Sequence, residues 1–155
     1  MKKAFSIFTA FALLFCISGC VDNTAKNYDA NAAADALNAA LTFGESLEKS
    51  TAEAAYSIYG IDSALCSNAA IYVGSGATAD EIAVFNCIDT ESAKTVLEAV
   101  NSRKAYLEEG YSSYGPDQVP KIKSAVIISS AETVILCICE NPDAVGNILE
   151  TLNNN

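Results

Sequence analysis

The chain has 155 residues, of which 51% are hydrophobic, and its formal net charge at pH 7 is −10. Such an acidic chain repels nucleic-acid phosphates and anionic lipid surfaces, so we expect no nucleic-acid partner and no electrostatic attraction to a membrane. The chain contains no His, which removes the side chain that enzymes most often use as a general acid or base.

The first twenty residues carry the pattern of a secretory signal. Lys2 and Lys3 make a basic start, residues 4–16 form an apolar run too short to span a bilayer, and small residues precede Cys20. We therefore predict a lipoprotein signal peptide over residues 1–19. The ending Ile-Ser-Gly-Cys resembles the lipobox of bacterial lipoproteins, which implies cleavage by signal peptidase II and attachment of lipid (diacylglyceryl and palmitate chains) at Cys20. An ordinary cleaved signal and an uncleaved anchor are the alternatives.

Lipid at this position predicts where the protein is held. Two acyl chains keep a protein on a membrane where a single myristoyl chain is marginal. We expect a protein of the cell membrane, lipid-anchored on the extracytoplasmic face, with residues 20–28 as a lipidated tether and residues 29–155 as a single domain. The expected partners are the membrane, through Cys20, and an envelope protein. We expect no cofactor and no metal.

The first half of the domain begins with two predicted helices. Residues 29–41 are rich in Ala, and Asp29 can cap their N-terminus. The stretch 42–49 is ambiguous. Residues 50–53 match a capping box and open a short helix that stops at Gly60.

Two strands follow, 69–73 and 81–87, and the Gly-containing residues between them predict a hairpin. If its turn centres on Gly76-Ala77, Cys66 lies opposite Cys87. An error of one or two residues in the register would separate this pair.

The second half repeats the order of strands and helix. After a strand-to-helix break at Asp89-Thr90, a helix is predicted to run to about Glu109 and to stop at Gly110, and 111–120 reads as a turn-forming segment. The runs 124–128 and 133–139 predict a second hairpin. A final helix starts at Asn141-Pro142, with Asn as the cap and Pro at the first helical position.

These elements predict an α+β fold. We expect two layers, with a four-stranded, mainly antiparallel sheet and helices on one face. A shift of 52 positions places Val-Leu-Glu-Ala-Val-Asn at 96–101 on Ile-Leu-Glu-Thr-Leu-Asn at 148–153. This match suggests a strand-strand-helix pseudo-repeat, although any two strand-to-helix units share such a pattern.

Four cysteines remain in the domain: Cys66, Cys87, Cys137 and Cys139. All lie in apolar stretches, where free Cys behaves as a small buried hydrophobic residue, so core thiols are the leading expectation. A Cys66–Cys87 disulfide is the alternative that the hairpin register allows. The spacing of the four differs from that of zinc ligands.

Acidic side chains occur as adjacent pairs, including Asp80-Glu81 and Glu108-Glu109. We interpret these pairs as solvated faces, because neighbours diverge on a helix or strand. No assembled set of catalytic residues is apparent, so none is assigned. The leading hypothesis is a non-enzymatic binding or assembly module of the cell envelope. An envelope enzyme that uses carboxylates or thiols is the alternative.

Several stretches carry a family resemblance, the most specific being Ala-Asp-Glu-Ile-Ala-Val-Phe at 79–85. With residues 59–62, 113–122 and 125–128, it resembles the domain of unknown function 4358 family of bacterial lipoproteins. The resemblance covers roughly Leu47 to Leu152. It implies no catalytic residue, because the activity of that family is unknown. The three cysteines at 87, 137 and 139 are not expected as fixed features of the family.

Overall fold

The centre of the molecule is one open sheet of five antiparallel strands in the order β1-β2-β3-β5-β4. The computed structural model describes residues 26–152. The strands are β1 Glu48–Ser50, β2 Cys66–Val73, β3 Glu81–Cys87, β4 Val126–Ser130 and β5 Thr133–Ile138. The helices are α1 Ala30–Ala40, α2 Ala52–Tyr59, α3 Thr90–Tyr114, α4 Val119–Lys123 and α5 Ala144–Leu152.

The α+β class is confirmed, with five strands in place of the four expected. The additional strand, β1, has three residues and begins at the end of the stretch 42–49, which the sequence left ambiguous. Three residues are too few for an alternation of apolar and polar side chains to be recognised.

Helices cover both faces of the sheet, so the expectation of two layers with helices on one face was wrong. Ala83 and Phe85 of β3 pack with α2, α3 and α4, whereas Ile82 and Val84 pack with α1 and α5. The physical reason is the near-continuous apolar run of β3, which presents hydrophobic side chains to both sides. Each side therefore needs its own layer of helices.

The first helix ends follow the predicted signals, except that Thr51 caps α2, one residue after the Ser50 that a capping box over residues 50–53 implies. The Asp29 carboxylate accepts a hydrogen bond from the Ala32 amide at 2.8 Å, and the Thr51 hydroxyl accepts one from the Ala54 amide at 3.2 Å. Gly60 ends α2 in the left-handed conformation, with φ of 64°. A residue without a Cβ adopts this conformation at no steric cost.

The end of α3 was predicted wrongly. The helix continues through Gly110 to Tyr114, although a Gly inside a helix costs about 1 kcal/mol relative to Ala. Tyr111, in the added turn, is buried, and its hydroxyl donates to the carbonyls of Gly76 (3.0 Å) and Thr78. The burial and hydrogen bonding of Tyr111 offset the cost of Gly110 inside the helix. The segment predicted as turns forms the last turn of α3, a short 3₁₀ turn and α4.

The two halves share their order of elements but not their arrangement. In each half a hairpin precedes a helix, yet α3 packs on one face of the sheet and α5 on the other. A true structural repeat would relate β3 to β5 by a twofold rotation axis perpendicular to the sheet, because the two strands are antiparallel neighbours. Such a rotation would place α3 and α5 on the same face. The strand-strand-helix pseudo-repeat therefore describes the sequence order only.

Residues 26–28, which we assigned to the tether, lie against the β4–β5 hairpin. The Lys26 amide donates to the Ser130 hydroxyl at 2.8 Å, and the Tyr28 amide donates to the Thr133 hydroxyl at 3.1 Å. The chain thus enters the domain at the end of the sheet where β5 begins and β3 ends. Cys20 and the signal peptide lie outside the described residues.

Candidate binding cleft

A cleft of about 280 Å³ opens at the end of the sheet where β2 finishes and β3 begins. One wall is the loop of residues 74–80 between these strands, and the other is the second half of α3. Ile58 of α2 closes one side. The residues that line the cleft include two acidic residues, one arginine and three tyrosines: Asp80, Glu81, Arg103, Tyr106, Tyr111 and Tyr114.

Glu81 forms a buried ion pair at the floor of the cleft. Its carboxylate accepts two hydrogen bonds from the Arg103 guanidinium, from Nη2 at 2.6 Å and from Nε at 3.2 Å. The Tyr59 hydroxyl donates a third hydrogen bond to the same carboxylate at 2.6 Å. The two-pronged contact fixes the orientation of the arginine as well as its charge.

Burial and neighbouring charge shift the pKa values of Tyr59 and Arg103. Burial raises the pKa of Tyr59 well above its usual range, and the adjacent Glu81 carboxylate raises it further. Burial lowers the pKa of Arg103, but the hydrogen bonds and the charge of Glu81 outweigh this effect and leave that pKa raised. Tyr59 is therefore a neutral hydrogen-bond donor, and Arg103 stays charged throughout the physiological range.

Asp80 forms a second ion pair, with Lys121. Lys121 Nζ lies 2.9 Å from Asp80 and 2.7 Å from Glu140, so the lysine bridges two carboxylates. The other Asp80 oxygen accepts a hydrogen bond from the Gly44 amide at 2.8 Å. These contacts tie the start of β3 to α4 and to the loop after α1.

Glu45 holds the loop that forms the cleft wall. Its carboxylate accepts hydrogen bonds from the backbone amides and from the hydroxyls of both Ser75 and Thr78, at 2.6 to 3.1 Å. Gly74 leaves room for it, because a Cβ at that position would lie 2.5 Å from the carboxylate. These hydrogen bonds, with that of Ser75 first, lower the pKa of Glu45 from 4.5 to about 2.

This lowered pKa predicts an acid-dependent loss of stability. Because the folded-state pKa lies below the unfolded value, the contribution of Glu45 is fully present above about pH 4.5 and is lost as the pH falls toward 2. We expect Glu45→Gln to be less stable than the native chain at pH 7 and to lose less stability over that window. Urea unfolding at pH 7, 4.5 and 3 measures the difference. A constant difference across these pH values would contradict the prediction.

Exposed apolar side chains form the rim of the cleft. The side chains of Tyr106 and Tyr114 are 69% and 66% exposed, and Ile58 is also exposed. A second groove of about 480 Å³ adjoins the cleft on the other side of Tyr106, between α2 and α3. The Arg103 guanidinium lies 5.8 Å from the Tyr106 ring and 5.9 Å from the Tyr59 ring, within the range of cation–π attraction.

The arrangement is suited to binding. Each oxygen of Asp80 and of Glu81 already accepts a hydrogen bond or ion pair from the protein. The Tyr106 and Tyr114 side chains remain exposed at the rim, and the Arg103 guanidinium, oriented by Glu81, stays partly accessible. Within residues 26–152, no group of three or more His, Cys, Asp or Glu is placed to hold a metal ion. No helix in the same range is long and apolar enough to cross a membrane.

The cysteines lie away from this cleft. Cys66 and Cys87 are opposite each other at the far end of the β2–β3 hairpin, while Cys137 and Cys139 are buried in the core on the other face. Cys87 and Cys139 therefore do not converge, although a convergence of this pair would have favoured a thiol enzyme. All four are free thiols in the structure.

The cleft was not predicted from the sequence, because the adjacent acidic residues Asp80 and Glu81 are typical of a solvated face. Both residues are buried. Their position directly before the apolar run 82–85 is a signal that could have indicated burial, since buried charges are accepted when paired. The partners, Lys121 and Arg103, are distant in sequence and could not be identified from a local pattern.

The structure is an α+β domain: a five-stranded antiparallel sheet lies between two layers of helices, and a cleft with an aromatic rim opens at one end. Residues 39–139 match the family described as a domain of unknown function, DUF4358. This match covers more than half of the chain, and the chain belongs to that family. Comparisons with curated proteins and with solved structures found no match.

Proposed function

We propose that the protein is a lipid-anchored module on the extracytoplasmic face of the cell membrane, and that its cleft binds a protein of the cell envelope. The observation that carries the binding role is the exposed rim of Ile58, Tyr106 and Tyr114 around the paired Arg103. Tyr and Arg are enriched among the residues that dominate the affinity of protein interfaces, where a well-packed centre is surrounded by a polar rim.

The position of the tether supports this proposal. Lys26 and Tyr28 contact the domain at the end of the sheet where β3 finishes, and the cleft lies where β3 starts. The seven residues of β3 span about 20 Å. The chain that leads from Cys20 therefore joins the domain at the end opposite the cleft, so the proposed anchor does not obstruct a partner that binds in the cleft.

Lipid attachment is tested by Cys20→Ala in the native host. We expect most of the variant protein to move from the membrane fraction to the soluble extracytoplasmic fraction, because the acyl chains attached at Cys20 bind the protein to the membrane. Metabolic labelling with an alkyne fatty acid should mark the native chain and not the variant. Full retention of Cys20→Ala in the membrane fraction, or an unlabelled native chain, would contradict the anchor.

Partner binding is tested by Tyr106→Ser and Tyr114→Ser. Because both rings are exposed, we expect unchanged folding and a loss of affinity of about thirtyfold for each variant, the cost of about 2 kcal/mol typical of an interface hot spot. Quantitative co-purification from crosslinked envelopes, followed by titration of the identified partner, measures it. Ile88→Ser is the matched control, since Ile88 is exposed at the opposite end of the sheet. Equal loss in all three variants would contradict the assignment to the cleft.

The alternative is an envelope enzyme that uses carboxylates, and one observation favours it: Asp80 and Glu81 both line the cleft. Their oxygens are occupied by Arg103, Tyr59, Lys121 and the Gly44 amide. A substrate would have to displace one of these partners before either carboxylate could transfer a proton. The binding role requires no such rearrangement, which is why we prefer it.

A further inference from the structure

Cys66 and Cys87 occupy facing positions on β2 and β3. A β-bulge brings them together. From Asn68 to Val73 the strands pair in one register, and the extra residue Ser67 shifts that register so that Cys66 lies opposite Cys87. A bulge of this kind re-aims side chains at the end of a ladder.

The backbone hydrogen bonds identify the kind of pair. The Ile88 amide donates to the Leu65 carbonyl at 3.0 Å, one residue beyond the pair on each strand, while the Cys87 amide donates away from β2 to the Glu132 carbonyl at 2.7 Å. Cys66 and Cys87 are therefore a non-hydrogen-bonded pair. In such pairs the Cα atoms are about 4.5 Å apart and the side chains approach closely, which lies within the range that a disulfide spans.

Both side chains also lie on the same face of the sheet. Cys87 belongs to the core formed with α2 and α3, and Cys66 packs against that core while remaining partly exposed. The neighbouring Cys87 thiol lowers the pKa of Cys66. Cys66 is therefore the thiol that solvent reaches and that ionises first.

We propose that Cys66 and Cys87 form a disulfide site, at which an external disulfide oxidises the two thiols to a bond that closes the open end of the β2–β3 hairpin. The Cys66 thiolate attacks one sulfur of the external disulfide and releases one reduced thiol. The Cys87 thiol loses its proton to solvent, and its sulfur then attacks that of Cys66 and releases the second. The external disulfide gains the two electrons that the cysteines lose.

Cys137 and Cys139 provide an internal control. They are separated by one residue along extended chain, so their Cα atoms lie about 6.6 Å apart. Cβ atoms two residues apart on extended chain are separated by about the same distance, beyond the roughly 4 Å that a disulfide requires, although the thiols are near enough for Cys139 to raise the pKa of Cys137. Both are buried in the opposite core, so an oxidant that reaches Cys66 should leave them as thiols.

In the cell, the oxidant for this site would come from the proposed extracytoplasmic location. The test therefore uses purified full-length protein, to which the oxidant is added directly. The reduced chain is treated with oxidised glutathione, blocked with iodoacetamide under denaturing conditions and cleaved after Glu without reduction. Cleavage after Glu81 separates fragments 54–81 and 82–91, which carry Cys66 and Cys87 respectively. We expect these fragments to be joined, with alkylated Cys137 and Cys139 on fragment 133–140.

Cys66→Ser should leave Cys87 fully alkylated, and the oxidised native protein should melt about 10 °C above its reduced form, a difference that the variant lacks. Alkylated Cys66 and Cys87 in the native protein, a lasting glutathione adduct on Cys66, or a bond involving Cys137 or Cys139 would overturn the proposal. These outcomes are independent of Cys20, so a failed anchor and a failed disulfide are distinguished.

Discussion

Replacement of Arg103 by Leu should lower the free energy of unfolding by about 3–5 kcal/mol, because it leaves the Glu81 carboxylate buried without its cation. The Glu81 side chain is 5% exposed, and two of its three hydrogen bonds come from Arg103. The remaining donor, Tyr59, is neutral. Urea unfolding followed by circular dichroism measures the effect.

Two controls separate this cause from the loss of side-chain packing. Lys94→Leu, on the same helix, removes an exposed ion pair with Glu91 and should change stability by less than about 1 kcal/mol. The triple variant Arg103→Leu/Glu81→Leu/Tyr59→Phe should recover most of the loss, because the replacement of a whole buried ion pair by apolar residues is often neutral. Tyr59→Phe is included because the Tyr59 hydroxyl donates to Glu81 and would otherwise be buried without an acceptor. A triple variant as unstable as Arg103→Leu alone would show that the uncompensated charge is not the cause.

Replacement of Lys121 by Met should have an effect of similar size, about 3–5 kcal/mol, because Asp80 would keep only the Gly44 amide as a partner. The Asp80 side chain is fully buried and that of Lys121 is 9% exposed. Hydrogen bonds to Asp80 and Glu140 raise the pKa of Lys121 against the opposing effect of burial. Its contribution is therefore fully present below about pH 10.5 and is lost as the pH rises through the raised value.

Lys123→Met is the matched control for Lys121→Met. Lys123 lies two residues away on α4, its side chain is 63% exposed, and its ion pair with Glu108 is long at 3.5 Å. We expect a change of less than about 1 kcal/mol in chemical denaturation at pH 7. Equal effects of the two substitutions would mean that Lys121 does not act by neutralising a buried carboxylate.

The sequence was informative wherever a local signal decides the structure. Asp29 and Gly60 mark helix ends through contacts with their own neighbours, and a local pattern contains that information. The cap of α2 was predicted one residue early, at Ser50 in place of Thr51. The central hairpins were identified for the same reason. The opposition of Cys66 and Cys87 was predicted from a register that is one residue away from that observed, and the bulge at Ser67 compensates for the difference.

Features that depend on distant partners could not be predicted in this way. Gly110 reads as a helix stop, but Tyr111 continues the helix because its hydroxyl finds the carbonyls of Gly76 and Thr78 across the cleft. The cleft itself depends on the pairing of Glu81 with Arg103, which joins a strand to a helix. In contrast, the coverage of both faces could have been inferred from β3, whose apolar run lacks the alternation of a half-exposed strand.

The exposed tyrosines on α3 are the central feature of the proposed function, and crosslinking in intact cells tests them most directly. A photoreactive phenylalanine analogue is placed at position 106 or 114 in one set of cells and at position 88, at the far end of the sheet, in another. We predict one common envelope protein joined to the chain from positions 106 and 114 and absent from position 88. Crosslinking of that protein from all three positions, or from position 88 alone, would contradict a partner that binds at the cleft.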